Sequence, residues 1–264
     1  MRMEVSHTFA ICAYKESAYL EECIQSIRKQ SLKTNIIMIT STENDFLKGI
    51  SDKFEIPLYI NRGERGITQD WNFAYQKANT DYVTIAHQDD VYFKDYAKYV
   101  VKYLEKQGDA LIYFTDYAEI RDNKIIRSNQ LLRIKRLMLY PLRFSMFWGS
   151  RFVRRRILSL GSPICCPSVT LVKKNLPSII WEKGFRSNED WEAWEKISKM
   201  RGKFIYNREI LVGHRIHEGS ETSIIIKDGV RTQEDYIMFR KFWPSFIAKI
   251  LTRLYAKSEE SNQI

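Results

Sequence analysis

The sequence predicts an α/β fold: a Rossmann-like, mostly parallel central sheet with helices on both faces. Three observations lead there. Short apolar runs rich in β-branched and aromatic residues alternate with helical stretches through the first half of the chain. Those runs are continuous rather than alternating, as strands covered on both faces are. The run Tyr82-Val83-Thr84-Ile85-Ala86 leads directly into His87-Gln88-Asp89-Asp90. Ligands of open α/β sheets bind just outside the carboxyl ends of the strands, so this polar cluster is a candidate site.

The elements follow in order. His7 to Ala13 reads as a first buried strand, and Tyr14-Lys15-Glu16-Ser17 as a polar break with Ser17 as helix N-cap. Leu20, Cys23, Ile24 and Ile27 recur at helical spacing within a helix over Tyr19 to Gln30. Asn35 to Thr40 is a second strand ending in a polar cluster, and Pro57 to Ile60 a third. Asn61 to Gly66 forms a basic, glycine-bearing loop before a helix over Thr68 to Ala78. Strand–helix alternation at this spacing implies right-handed crossovers and a doubly wound sheet. After the central strand come a helix over Tyr96 to Gln107 and a strand from Ala110 to Thr115 that ends at Asp116. Ser162 to Lys173 reads as a loop entering a strand. Lys203 to Tyr206 and Leu211-Val212 read as two short strands around a turn. The helix over Ser245 to Ala256 places Ile247, Ile250, Leu251 and Leu254 opposite Lys249, Arg253 and Lys257, and the terminal SEESNQI is expected to be disordered.

Composition bounds the function. With 44% hydrophobic and 28% charged residues, the 264-residue chain is an ordinary globular protein, not a disordered one. The opening MRMEVSHTFA lacks the apolar core of a signal peptide, and no run of about 18 apolar residues suggests a membrane span. Cys12, Cys23, Cys165 and Cys166 lack metal-site spacing and read as reduced thiols of a cytosolic protein. The net charge of +10 favours an anionic partner. Its source is concentrated: Asn123 to Trp181 contains no Asp or Glu, yet carries Arg133, Lys135, Arg136, Arg143, Arg151, Arg154, Arg155 and Arg156 among aromatics. A solvated basic face, a nucleic-acid surface and a membrane or lipid-linked substrate all fit that pattern; the last is the reading adopted.

Three clusters carry chemistry. Adjacent carboxylates such as Asp89 and Asp90 repel each other unless a cation lies beside them, although a solvated Asp-Asp turn has the same spelling. Glu189 and Asp190 open a helical pattern, where the dipole favours ionised carboxylates; a general base and plain helix-end charge are the two readings. Gly213 to Glu218 brings His214 and His217 to one strand end, with Arg215 and His217 on a common face.

In that order, four segments resemble the family-2 glycosyltransferases of the GT-A fold, over residues 6–225. FAICAYKESAYLEECIQSI is similar to the family's nucleotide-binding start, and NRGERGITQDWNFAYQKANTDYVTIAHQDDVY to its glycine loop, helix and acidic strand end. SNEDWEAWEKI resembles its Glu-Asp helix, and HRIHEGSETS its terminal Arg-x-His segment. Two positions depart: Thr40-Ser41-Thr42 stands where aspartates usually meet the base, and His87 replaces the first Asp of the usual Asp-x-Asp.

The resemblance implies an inverting transferase with Asp190 as base and Glu189 in support. It implies donor contacts at Ala13, Tyr14, Glu16, Ser41, Arg65, Asn72, Gln88 and Asp89, with Arg215 near the metal or diphosphate. It implies a divalent cation, Mn²⁺ or Mg²⁺, held by Asp89, Asp90 and His217. Residues 1–120 would form the nucleotide-sugar-binding half, 121–225 the acceptor-binding half of the same GT-A domain, and 226–264 the basic amphipathic C-terminal helices. The expected partners are a UDP-linked sugar donor, a glycan or lipid-linked acceptor and an anionic membrane surface. Nucleic acid is not expected, and a homo-oligomer is compatible with the reading. The expected place is the cytoplasm, peripheral at the inner face of the cell membrane, in surface polysaccharide synthesis. The alternative is a non-catalytic nucleotide-binding or scaffold member of a polysaccharide assembly complex.

Overall fold

The computed structural model describes residues 6–217 and 230–260. Its nine-stranded sheet is laid out by β1 (His7–Cys12), β2 (Asn35–Thr40), β3 (Leu58–Ile60), β4 (Tyr82–His87), β5 (Val91–Tyr92), β6 (Ala110–Arg121), β7 (Lys124–Ile126), β8 (Val169–Val172) and β9 (Lys203–Arg215). The order is β3-β2-β1-β4-β8-β6-β9-β5, with β7 paired to β6. The run β3-β2-β1-β4 is wholly parallel, the doubly wound half that the sequence predicts. Beyond it β8 is antiparallel to both β4 and β6, while β6 and β9 run parallel. The sheet is continuous across residue 120, because β6 spans it.

Strand alternation divides the core between two faces. Phe9 and Ile11 point to one side, against α1 (Leu20–Arg28), α2 (Asp45–Lys53) and α4 (Tyr96–Leu104). Ala10 points to the other, where α3 (Ile67–Lys77), α6 (Arg151–Leu158) and α7 (Glu189–Ser198) pack with α8 (Val230–Arg240) and α9 (Ser245–Glu260). A short α5 (Gln130–Met138) lies between β7 and α6 in sequence. Trp191 and Trp194 of α7 are fully buried, and Trp191 Nε1 donates to the Leu158 carbonyl at 3.0 Å. Truncating such a tryptophan costs about 3–5 kcal/mol, so α7 is held firmly beneath the residues at its N-terminus.

Several elements differ from expectation for local reasons. Ser17 does not cap α1; its hydroxyl accepts from the Tyr19 amide, and the helix begins at Leu20. The turn expected between two short strands is an irregularity inside one long strand, β9. There Asn207 accepts from the Glu209 amide and donates to the Tyr113 hydroxyl, which absorbs the extra residues. The apolar face of α9 is split: Ala248 and Thr252 are buried, whereas Phe246, Ile250 and Leu254 are exposed. Part of the tail, Ser258 to Glu260, continues this helix rather than being disordered, while Ser261 to Ile264 lie outside the described residues. Gly161, at φ +138°, receives the Tyr255 ring so closely that an added Cβ would stand 2.7 Å from it. That contact seats α9 against the loop leading to Cys165 and Cys166.

Candidate active site

The carboxyl edge of β4 forms the centre. His87 to Asp90 turn away from the strand there, and each of the four side chains has a distinct task. Gln88 bridges to the loop after β1, its Oε1 accepting from the Tyr14 amide at 2.9 Å and its Nε2 donating to the Tyr14 carbonyl. Asp89 is half-buried, and its Oδ2 lies 3.0 Å from His217 Nε2. Asp90 is fully buried; its Oδ1 accepts from the Arg215 amide at 2.8 Å and from His214 Nδ1 at 3.0 Å. Burial opposes the charge on Asp90, but His214, His87 and the Arg215 amide outweigh it and hold the carboxyl below its ordinary value. His87 stacks on Trp71, ring centroids 5.2 Å apart.

Ligand atoms of His87, Asp89 and Asp90 lie within 4.8 Å of one another. Two buried polar atoms here, Asp90 Oδ2 and His87 Nε2, have no hydrogen-bond partner. A buried polar atom left unpaired is costly, and a cation would satisfy the carboxylate oxygen. The 3.0 Å between Asp89 Oδ2 and His217 Nε2 is also about the spacing of two adjacent ligands on one octahedral ion. The His87–Asp89–Asp90 group could hold a divalent cation, and His217 Nε2 stands beside it, 3.0 Å from Asp89 Oδ2.

Arg215 touches this cluster through backbone groups rather than through the carboxylates' free oxygens, its amide on Asp90 Oδ1 and its Nε on the Asp89 carbonyl. Its guanidinium donates to Glu22 Oε2 (2.6 Å), the Asp89 carbonyl (2.9 Å) and Asn123 Oδ1 (3.2 Å), and it lies over the Tyr19 ring. It is a buried tie between α1, the β4 end and the β7 hairpin.

The donor-side residues separate into two groups. Ala13 is buried, with its amide on the Ile39 carbonyl; Tyr14 and Glu16 are exposed at the same strand end. Lys15 between them holds φ +54°, a left-handed conformation uncommon for a side-chain-bearing residue and kept by its amide's bond to Thr42 Oγ1. Ser41 donates to Asp70 Oδ2 and Asn61 to Asp70 Oδ1, each at 2.7 Å. Asp70 therefore brings a carboxylate from α3 to the end of β2, where the sequence itself has only Thr40-Ser41-Thr42. Arg65 is exposed on the glycine loop. Asn72, expected on the donor, is used elsewhere: its Nδ2 donates to the Trp181 carbonyl, and its Oδ1 accepts from the Ile180 and Trp181 amides.

Asp190 opens α7, half-buried, with Oδ1 accepting from its neighbour Trp191's amide at 2.6 Å. Burial pushes its carboxyl above the ordinary range, opposed by that amide, Lys135, Arg231 and His87. His87 of the metal cluster is thus within electrostatic reach of Asp190. Cys165 stands in the same neighbourhood: burial raises its thiol, Asp90 and Asp190 add to the rise, and Lys135 opposes it. Glu189 is buried in the first turn.

The loop before Asp190 is held by residues that no local sequence pattern marks. Glu234 of α8 accepts from the Arg186 amide (2.7 Å), the Ser187 amide and hydroxyl (both 2.9 Å) and the Asn188 amide (3.2 Å). Asn188 Nδ2 donates to Asp235 Oδ1 at 2.8 Å. Acidic residues 46 to 48 positions downstream become legible only when the fold brings them back. The segment Glu218 to Ser223, part of the resemblance, lies outside the described residues.

The fold has counterparts. The family model for glycosyl transferase family 2 matches residues 8–179. A mannosyltransferase from Pyrobaculum calidifontis, PcManGT, solved with GDP-Man and Mn²⁺, superposes with a TM-score of 0.61 at 16% identity, covering 95% of this chain and 69% of that one. Staphylococcus aureus TarS residues 1–349, solved with UDP-GlcNAc, superposes with a TM-score of 0.59 at 13% identity, covering 93% and 70%. At these identities the likeness is one of fold. No curated protein matches in sequence. The family match spans more than half the chain, and its metal-fitting strand end and buried acidic helix start accord with it: the chain belongs to the family 2 glycosyltransferases.

Proposed function

We propose that the protein transfers a sugar from a UDP-linked donor to a hydroxyl of a glycan or lipid-linked acceptor, by metal-assisted single displacement with inversion. The observation that carries this reading is that Asp190, a carboxyl raised by burial, lies within electrostatic reach of His87 in the metal-fitting cluster at the sheet edge. A base must be able to take a proton near neutral pH, and a raised carboxyl is better matched to that than a solvated one. Asp190 would accept the acceptor's hydroxyl proton as oxygen attacks the anomeric carbon, with Glu189 in support. Tyr14 would stack near the base, Glu16 would face the ribose, and Arg65 would reach a phosphate. When bound, the cation supplies neutralisation of the leaving diphosphate. Imidazole in the ligand set suits Mn²⁺ better than Mg²⁺. Neighbours that hold UDP-GlcNAc, or GDP-Man with Mn²⁺, support both the donor class and the cation.

Membrane association is part of the proposal. No helix among the described residues is long and apolar enough to cross a membrane. Phe246 (67% exposed), Ile250 (54%) and Leu254 (60%) nevertheless form a stripe on α9, with Lys249 and Arg253 exposed beside it. Such a face suits an anionic bilayer surface, as a protein acting on a lipid-linked acceptor would need. A thermal-shift screen of sugar nucleotides with and without Mn²⁺ tests the donor claim. Stabilisation by one donor only when Mn²⁺ is present supports it; no response to any donor contradicts it. A scaffold member would bind a nucleotide without Mn²⁺-dependent hydrolysis of a sugar nucleotide.

A further inference from the structure

Among the described residues, several buried and half-buried cations pair with carboxylates, whereas Arg154 and Lys173 bond backbone carbonyls instead and Lys135 bonds only a hydroxyl. Arg136 pairs with Asp116, Arg155 with Glu195 and Arg215 with Glu22, while Arg154 caps the Met200 and Gly202 carbonyls. Lys135 of α5 is half-buried, yet its Nζ finds only the Tyr117 hydroxyl, at 3.0 Å, and the Tyr117 ring, 5.4 Å from its centroid. No carboxylate among the described residues lies within 4 Å of it. Burial pushes the Tyr117 phenol up to about 12, so it stays protonated and does not neutralise the ammonium. Burial works against the Lys135 charge, but the neighbouring Tyr117 and Tyr255 outweigh it and keep the ammonium charged, able to meet an anionic ligand.

Its position says which ligand. Tyr117 meets the His214 ring edge-on at 6.2 Å, and His214 bonds Asp90 at 3.0 Å, so Lys135 stands one side chain behind the metal cluster. Its charge acts on Asp190 and on His214. Arg133, Arg136 and Leu137 of the same helix, with Tyr140 and Arg143 of the turn after it, line an open cleft of about 330 Å³. All of these belong to the stretch that contains no acidic residue. The diphosphate of a donor is met by the cation at Asp89; Lys135 is left for a group on the base's side.

We infer that Lys135 and Tyr117 form an anion subsite for a phosphate or carboxylate carried by the acceptor, within electrostatic reach of Asp190. The inference rests on the transferase reading for the word acceptor, and on the unmatched ammonium for the site itself. Calorimetric titration of wild-type protein, with UDP and Mn²⁺ present, would use glucose 6-phosphate, glucuronate and glucose as probes. The expected result is binding of one charged probe about tenfold to a hundredfold tighter than glucose, the range of a charge-assisted hydrogen bond. A preference for glucose 6-phosphate identifies a phosphoester acceptor, and one for glucuronate identifies a uronate. Lys135→Met should erase the preference, Lys135→Arg should keep most of it, and UDP affinity should stay unchanged in both. Equal binding of all three probes by wild type, or an unchanged preference in Lys135→Met, overturns the subsite. Loss of UDP affinity in Lys135→Met also overturns it, assigning the ammonium to the leaving group. A protein that binds a charged probe through Lys135 but consumes no sugar nucleotide refutes the transferase reading and leaves the subsite standing.

Discussion

Glu234 offers the sharpest test of how the base is held. In Glu234→Ala, three backbone amides and the Ser187 hydroxyl lose their common acceptor. Hydrogen bonds to a charged group contribute about 1.5–3 kcal/mol each when isolated, but these four share one carboxylate and water re-enters in part. A net loss of about 2–4 kcal/mol from the 186–188 loop is the reasonable scale. Asp190 follows directly on that loop, and a displacement of about 1 Å at a reacting group costs on the order of a hundredfold in rate. Amide hydrogen exchange of Arg186, Ser187 and Asn188 reads the ordering directly. Steady-state UDP release reads the rate, and calorimetry reads donor affinity. The expected pattern is faster exchange at these amides, a kcat about a hundredfold lower and unchanged donor affinity, with Glu234→Asp recovering part of the rate. Wild-type exchange and wild-type kcat in Glu234→Ala would refute the reasoning.

Other consequences are open to measurement. His7 is fully buried and neutral, its pKa lowered to about 3 by burial, so the unfolded chain binds the extra proton between pH 6.5 and 3. Stability should fall as pH drops through that window, by about 1.4 kcal/mol per unit from this group, and urea titrations of His7→Gln should show a shallower slope. Because Asp190 must be ionised to act and its carboxyl is raised, the rate should climb with pH above the ordinary carboxylate range, a limb absent from the residual activity of Asp190→Asn. Asp89→Asn should weaken Mn²⁺ binding, whereas Asp90→Asn should chiefly lower the Tm, since Asp90 ties β4 to His214 and Arg215. Phe246→Asp with Leu254→Asp should abolish sedimentation with anionic vesicles and leave the Tm unchanged, because both side chains already face solvent.

What could be read from the sequence was what local pattern carries. The β1 and β4 runs, the acidic end of β4 and the acidic start of α7 stand in the chain as they stand in the fold, because period and composition decide them. What escaped depends on contacts between distant segments. Asp70 serves the end of β2 from α3, a link between residues 29 apart that no spacing rule marks. Asn72 lies on the helix next to the expected donor site, yet its amide is taken by Ile180 and Trp181. Arg215 shares a strand face with His217 by alternation, but its guanidinium is shared between the Asp89 carbonyl, Glu22 and Asn123, partners from three distant segments. The apolar stripe of α9 is uniform in sequence; which half turns inward follows from packing on distant residues, Tyr255 meeting Gly161, Trp191 and Phe239.

The account's central claim is that Asp190 is the base of a metal-assisted transfer while the β4 end holds donor and cation. The most direct measurement is donor affinity and turnover of Asp190→Asn beside wild type, with Mn²⁺ present. The account predicts donor affinity within experimental error of wild type and a turnover lower by about 10²–10⁴, the contribution of a general base. Wild-type turnover in Asp190→Asn would contradict it.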